Sequence, residues 1–403
     1  MYIIYYQLES GAYRYWGSKY KKIITKPCLP KRIEGPKKRF SYNMYHMFKG
    51  YEPSDEGLIK YNNDFTLWCD ELESNQIYPI HYKHFWSSYT AVELTFKNLC
   101  KGKYEHHKEI TIDEYIWFNK CYNSGLLYCE PGTYDCYGYD YSRFYPLILA
   151  SDDFKIPTKE GKSIILTKMP KLSERKYGLY KVRITCDNND FRKLFSFSPE
   201  HVYTHYSINQ AKKYQNKYDV KIDLICDGKP NAYVYEDNDL ESSGSIFKVW
   251  YDTLNSIKKL YPSNKLVKHL MSSVWGHISK NNKIRVTEED IILDFMDVGM
   301  TPDCKWMIYE EHITEVSTYY ELINSKKPYK YNIRLLPFLT SYGRNKISEI
   351  SRKDLSNVVR INNDGVCFKK DPCLNIPDLE REAKTSGKIE WIHVNKWNII
   401  EPS

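Results

Sequence analysis

From Tyr139 to Pro146 the chain reads Tyr-Asp-Tyr-Ser-Arg-Phe-Tyr-Pro, which sets a single carboxylate, Asp140, at the end of an aromatic-rich run. Such a run suits a pleated, half-buried strand, so residues 135–140 are expected to form one that ends at Asp140. A second carboxylate, Asp364, lies far along the chain within Asn362-Asn-Asp-Gly365. Flanked by Val358-Val-Arg-Ile361 and Val366-Cys-Phe368, this tetrad predicts a hairpin with Asp364 in its turn. Between the two carboxylates lies Lys268-His-Leu-Met-Ser-Ser-Val-Trp-Gly276, with apolar residues at helical spacing. Singly, each has an ordinary structural role: a strand-terminal residue, a plain turn, a solvated lysine face. Together and in this order they point to a shared chemistry.

Phosphoryl transfer from a nucleoside triphosphate uses two divalent ions about 3.5–4 Å apart, bridged by carboxylates. Carboxylates on adjacent strands of one sheet meet that need, which makes Asp140 and Asp364 the candidate catalytic and metal-binding residues. On the intervening helix, Lys265, Lys268, Ser272 and Trp275 share one face, opposite Leu266, Val267, Leu270 and Val274. A cationic and hydroxyl face can grip a triphosphate while the Trp275 ring meets the base pair. Gly276 after it permits close backbone approach. Tyr145, five residues beyond Asp140, can place a ring beneath the incoming sugar and exclude a 2′-hydroxyl. The alternative for Tyr145 is a buried ring at a strand–helix corner.

Composition is compatible with this chemistry without deciding it. The chain has 403 residues, enough for two or three domains, and carries 38 Tyr, 15 Phe and 9 Trp with a net charge of +8. Phosphates call for cations and bases for stacking platforms, yet an AT-rich genome produces the same bias. The 11 cysteines include no Cys-x-x-Cys pair, so no zinc site is expected, and reduced thiols in an intracellular compartment are. His106-His107 and His81-x-x-His84 lack partner ligands nearby in sequence and read as surface or packing residues. No apolar run approaches the roughly 20 residues of a membrane span, and a soluble protein with no membrane partner is expected.

A first boundary is drawn near residue 110. Before it, segments such as Met1–Leu8 read as strands, and Asp70-Glu71-x-Glu73 reads as a charged helix start. Thr111-Ile-Asp-Glu114 caps a helix running to about Cys121. Gly178–Thr185 is a strand, and the polar stretch 187–243 is expected to leave the main sheet. Two helices follow, Ser245–Leu260 and about Ser263–Ser279, broken at Pro262 into an antiparallel hairpin. Leu335–Ile350 reads as a further helix.

The three motifs resemble motifs A, B and C of family B DNA polymerases, and within that family the protein-primed branch. Tyr122-Asn-Ser-Gly125 is similar to the branch's template-contacting Tyr-x-Gly-Gly element, and Pro337–Arg344 to the helix before motif C. The long interval between Asp140 and Lys268 resembles the branch's insertion. The resemblance spans roughly residues 110–395. It implies an α+β fold, with a palm (antiparallel sheet with helices) and two-helix fingers behind a mixed N-terminal region. Residues 1–110 would form that region, 111–243 the first half of the palm with an insertion at about 187–243, 244–280 the fingers, and 281–403 the rest.

The resemblance also implies DNA-directed DNA synthesis with two Mg²⁺ (or Mn²⁺) ions held by Asp140 and Asp364. Tyr145, Lys265, Lys268, Ser272, Trp275 and Gly276 would bind substrate, and Tyr122 and Gly125 would bind DNA. Primer–template, dNTPs and a terminal protein or other replication factor are the implied partners, in host cytoplasm or a viral replication site. The chain departs from the pattern at Asn362, where motif C has its first aspartate, at Ser272-Ser273 and Trp275-Gly276 in motif B, and at Arg143 in motif A. No exonuclease or full thumb is expected, and Lys396-Trp397 is similar to the Lys-x-Tyr element. The alternative is a degenerate relative that binds primer–template or a replication partner.

Overall fold

The computed structural model describes residues 2–7, 13–18, 55–75, 88–121, 124–287, 306–313 and 318–402. It is α+β, with antiparallel sheets and helices. Two compact units are present: Met1–Lys103 with Ile246–His277, and Tyr104–Ser245 with Ile278–Ser403.

The first unit holds the hairpin Tyr2–Gln7 and Tyr13–Ser18 and the helices Asp55–Ser74 and Ser88–Leu99. It also takes most of the helix pair Gly244–Leu260 and Lys265–Ile278. The second of that pair starts at Lys265 because Asn264 caps it. The Asn264 side-chain oxygen accepts from the Val267 N–H at 3.0 Å, satisfying a donor that a helix start leaves open. Its amide donates to the Trp68 carbonyl at 3.1 Å and to Glu71 Oε2 at 2.7 Å, fastening the cap to the Asp55–Ser74 helix. Asp70-Glu71-x-Glu73 therefore ends a helix rather than starting one, and it lies on no strand. The reason is continuous amphipathic spacing upstream, which buries Tyr61, Phe65, Trp68 and Leu72 along one side.

The second unit is organised by a seven-stranded antiparallel sheet. Its strands are β1 (Leu127–Cys129), β2 (Gly132–Tyr141), β3 (Val358–Asn362), β4 (Gly365–Phe368), β5 (Leu379–Arg381), β6 (Gly387–His393) and β7 (Lys396–Pro402). The order is β7-β6-β2-β4-β3-β1, with β5 also pairing with β2. Alternation along β2 and β4 sends Tyr139, Val366 and Phe368 to a buried face, where Tyr139 and Phe368 meet at 6.1 Å between ring centroids. The helix Phe144–Leu149 follows β2, and Phe144 stacks on Tyr141 at 5.0 Å.

Thr111 caps the Ile112–Lys120 helix as the sequence predicts, accepting from the Glu114 N–H. Glu114 has a further role that no local pattern announced. Its carboxylate is fully buried, paired with the buried Arg334 at 2.8 Å and hydrogen-bonded by Tyr235 Oη. Arg334 also donates to the carbonyls of Lys108 and Glu109, each at 2.8 Å. Burial raises the Glu114 carboxyl, while the Arg334 charge and these hydrogen bonds oppose it. Removing either partner would strand a buried charge, at a cost of about 3–5 kcal/mol.

A second sheet takes up the stretch expected to leave the main one. Strands Lys162–Ile164, Ala232–Val234, Gly178–Thr185 and Val202–Thr204 lie in that order, with Lys221–Leu224 also on Gly178–Thr185. Residues after 187 thus leave the seven-stranded sheet, though not as a purely polar segment. With the Gly178–Thr185 strand they enclose Phe191, Leu194, Phe195, Ile208, Tyr214 and Tyr218 in a core of their own. The acidic and amide runs that gave the stretch its polar character sit at turns and caps, as where Asn188 accepts from the Asp190 N–H.

His205, at the start of the His205–Tyr218 helix, is buried between Tyr177 and Tyr206, with ring centroids at 4.1 and 3.9 Å. Its Nδ1 accepts from the Gly178 N–H at 3.3 Å, so Nε2 carries the proton of the neutral ring. Burial pushes its pKa down from 6.5 to about 3. A folded value below the unfolded one means the neutral ring stabilises above pH 6.5, and that stability drains as pH falls toward 3. Urea unfolding of the wild type at pH 5 is expected to lie about 2 kcal/mol below pH 7 from this group, and His205→Gln should flatten the slope. An unchanged slope in the variant would assign the acid sensitivity elsewhere.

Candidate active site

Strands β2 and β4 set Asp140 directly opposite Gly365 in the ladder. The Tyr141 N–H donates to the Asp364 carbonyl at 3.0 Å, so the residue after Asp140 is hydrogen-bonded to the backbone of Asp364 itself. A Cβ built on Gly365 would come within 2.8 Å of Asp140 Oδ1, which locates that carboxylate over the glycine. Asp364 occupies the β3–β4 turn, where its N–H donates to the Asn362 carbonyl at 2.7 Å. Asn363 takes a left-handed conformation (φ 57°), which asparagine tolerates better than most residues. The hairpin predicted around Asn362–Gly365 is thus present, with β3 and β4 as its arms.

Burial raises the Asp364 carboxyl above the usual range, and Glu382 adds to this; its own N–H, Lys384 and Arg360 pull the other way. Three residues at this face escaped sequence reasoning. Glu380 on β5 stands opposite Asp140 in the ladder, hence on the same face. Glu382 pairs with Lys384 at 2.5 Å. Burial alone would lower the Lys384 ammonium, but the Glu382 hydrogen bond and the charges of Glu382, Asp140 and Asp364 outweigh it and raise it. Their signal was the alternate spacing of Glu380, Glu382 and Lys384. It could be read only once the turn they enter was known to fold onto β2. Gly138 permits that fold: a Cβ there would lie 2.0 Å from Thr385 Oγ1 and 2.7 Å from its carbonyl oxygen. Its N–H donates to Ser386 Oγ at 3.0 Å, and its carbonyl accepts from the Glu382 N–H at 2.8 Å.

Tyr145 sits largely buried on the Phe144–Leu149 helix, its hydroxyl pushed up to about 12 by burial and Asp364 against the pull of Arg344. It packs against the Phe338–Ser351 helix, since a Cβ on Gly343 would lie 3.0 Å from its ring. Arg344, on that same helix, donates to the Ser124 carbonyl and to Ser207 Oγ. Gly125 is buried against the hairpin turn: a Cβ there would collide with Asn363 Oδ1 at 1.9 Å, and the Asn363 N–H donates to the Leu126 carbonyl at 3.1 Å. Asp140, Tyr145, Gly125 and Asp364 are thereby brought together in the second unit, while Tyr122 lies outside the described residues.

The lysine face belongs to the first unit. On the Lys265–Ile278 helix, Lys265, Lys268, Ser272 and Gly276 are exposed and Trp275 is half-buried, while Leu266, Val267, Leu270 and Val274 are buried. Lys265 lies over the Trp68 ring at 5.7 Å. Lys396-Trp397 has a packing role: Trp397 lies 5.5 Å from Trp391, and the Arg360 guanidinium is 4.9 and 5.1 Å from the two rings. His106 is a surface residue and His107 a buried one, in line with the expectation, but the fold also brings both to Glu241, a ligand type invisible in the local sequence. His81 and His84 lie outside the described residues. The nine described cysteines are free thiols, and no described helix is long and apolar enough to cross a membrane.

No family model and no curated protein match the sequence. Solved structures do. Phi29 DNA polymerase complexed with single-stranded DNA superposes with a TM-score of 0.52 at 12% identity, over 85% of this chain and 58% of that one. Its ternary complex with primer–template DNA and incoming nucleotides gives 0.49 at 12% identity, covering 78% and 56%. Its post-translocation binary complex gives 0.48 at 12%, covering 85% and 57%. The first of these shows a shared fold, with the present chain spanning little more than half the polymerase's length.

Two glycines test the packing at these sites. Gly138→Ala should destabilise by roughly 1–3 kcal/mol, because the intruding methyl meets backbone as well as side chain. Gly276→Ala, with nothing within 4 Å of the new Cβ, should stabilise by about 0.5–1 kcal/mol through helix propensity. Urea midpoints of both variants check this, and a Gly138→Ala protein as stable as wild type would contradict the close approach.

Proposed function

We propose that this chain is a DNA-directed DNA polymerase, extending a primer by template-directed deoxynucleotidyl transfer. The observation that carries the reading is the ladder pairing that puts Asp140 beside the turn bearing Asp364. In this reading the seven-stranded sheet and its helices act as the palm and the Gly244–Leu260 and Lys265–Ile278 pair as the fingers. The carboxylates are hard oxygen donors suited to Mg²⁺ or Mn²⁺, and a nearby cation relieves the burial cost that raises Asp364. Two such ions, when bound, supply the Lewis acidity that activates the primer hydroxyl and steadies the leaving pyrophosphate.

The chain's own residues would do the rest. Asp140 and Asp364 hold the ions, and Tyr145, braced by Gly343, excludes a 2′-hydroxyl. Lys268, Lys265 and Ser272 receive the triphosphate, and Trp275 and Gly276 border the new base pair. Tyr122 and Gly125 would meet template. Primer–template DNA and dNTPs are the partners, a terminal protein could furnish the priming hydroxyl, and a reducing compartment suits the free thiols.

One observation favours the second reading, a degenerate polymerase that only binds DNA. Asn362 replaces a motif C aspartate, and Lys384 already answers the charges of Asp140 and Asp364. Primer extension on a recessed template with Mg²⁺ or Mn²⁺ separates the two. Wild type is expected to extend and Asp140→Ala to fall to background while binding template equally. Equal template binding with no extension by either protein would establish the binding role instead.

A further inference from the structure

His106 and His107 are neighbours in sequence, yet both turn Nε2 toward the same carboxylate. His107 Nε2 lies 2.5 Å from Glu241 Oε1, and His106 Nε2 lies 3.0 Å from Glu241 Oε2. One ligand atom from each of the three residues fits within 4.8 Å of the others. The His107 side chain is wholly buried, Glu241 is mostly so, and His106 is open to solvent.

The other nitrogen of His107 decides what this cluster needs. Nδ1 is 3.3 Å from the Asn332 carbonyl oxygen, an acceptor only, so Nδ1 carries a proton. A neutral His107 would then present the Nε2 lone pair to an anionic oxygen, so the short contact holds either a second proton on His107 or, with the two groups drawn roughly 1 Å further apart, a cation bound by both. A backbone carbonyl on the far nitrogen is also how metal-ligating histidines are commonly oriented. The supports are rigid. Glu241 stands on strand Leu240–Ser242, paired antiparallel with Lys155–Pro157, where it faces Ile156. On the histidine side, the buried Arg334 binds the carbonyls of Lys108 and Glu109, directly after His107, and reaches the Asn332 carbonyl at 3.4 Å. Both walls are therefore held by the fold, and an ion at about 2.0–2.2 Å from each ligand would part the short His107–Glu241 contact.

We propose that His106, His107 and Glu241 form a site for a divalent transition-metal ion of the zinc class, with water completing the coordination. Two imidazoles and one carboxylate suit Zn²⁺, whereas Mg²⁺ and Ca²⁺ prefer oxygen donors throughout. The site shares no residue with the Asp140–Asp364 pair and does not depend on the polymerase reading. Its effect is structural: it pins the segment after Tyr104 to the Leu240–Ser242 strand, which leads directly into the helix beginning at Gly244.

Equilibrium dialysis of the full chain against Zn²⁺, with metal content measured after exchange, tests this. Because free cysteines also take up zinc, the readout is the difference between wild type and variants. Wild type should hold one more ion per chain than Glu241→Gln, and Zn²⁺ should raise the thermal midpoint of wild type alone. His106→Ala removes an exposed ring and should leave the fold intact, yet weaken the site about tenfold or more. It keeps the test decisive should Glu241→Gln fail to fold. Equal zinc content and equal zinc response in wild type and His106→Ala would overturn the proposal and leave a protonated histidine–carboxylate pair. A site filled by Mg²⁺ in preference to Zn²⁺ would overturn it too.

Discussion

The antiparallel pairing of β2 with β4 is the constraint on which the candidate site depends. Side chains along a strand alternate faces, so the register that buries Tyr139, Val366 and Phe368 necessarily turns Asp140 and Gly365 the other way. A slip of one residue would carry Asp140 to the Tyr139 face and drive the aromatics onto the face where Cys136 and Cys367 pack with Ile389 and Trp391. The same burial that stabilises the sheet therefore aims the acid. The turn adds Asp364 beside it, and the glycine after the turn leaves the space into which the Asp140 carboxylate leans.

Charge is handled differently at the two buried acidic centres of the second unit. Glu114 is neutralised by Arg334, which serves architecture: the pair gathers the segment after His107, the Ile112–Lys120 helix and Tyr235, just after the Ala232–Val234 strand. Asp140 and Asp364 instead face Lys384, a mostly exposed side chain that can swing away without breaking the fold. A counter-charge that can leave suits a site that takes up cations. A permanent one suits a strut.

Much of this was legible from local signals. The Asn362–Gly365 turn, the Thr111 cap, the Gly178–Thr185 strand and the two faces of the Lys265–Ile278 helix all follow from residues within a few positions of one another. What was hidden is what long-range packing decides. Glu380, Glu382 and Lys384 matter because Gly138 lets a distant turn settle on β2. Glu241 reaches His106 and His107 only through its pairing with Lys155–Pro157. The stretch after 187 looked polar because its acidic runs sit at turns, while the aromatics between them close a core whose other wall is the Gly178–Thr185 strand. Asp70–Glu73 was misplaced for the converse reason: a charge cluster can end a helix as readily as begin one.

The central claim is that the Asp140 and Asp364 carboxylates jointly hold divalent cations. Crystals grown with Mn²⁺, primer–template and a non-hydrolysable dNTP, examined by anomalous scattering, measure this directly. Manganese coordinated by oxygens of both residues at about 2.0–2.6 Å, with Lys384 displaced, is the predicted result. Manganese absent from both carboxylates in a crystal that holds the DNA, with Lys384 still facing them, would contradict it.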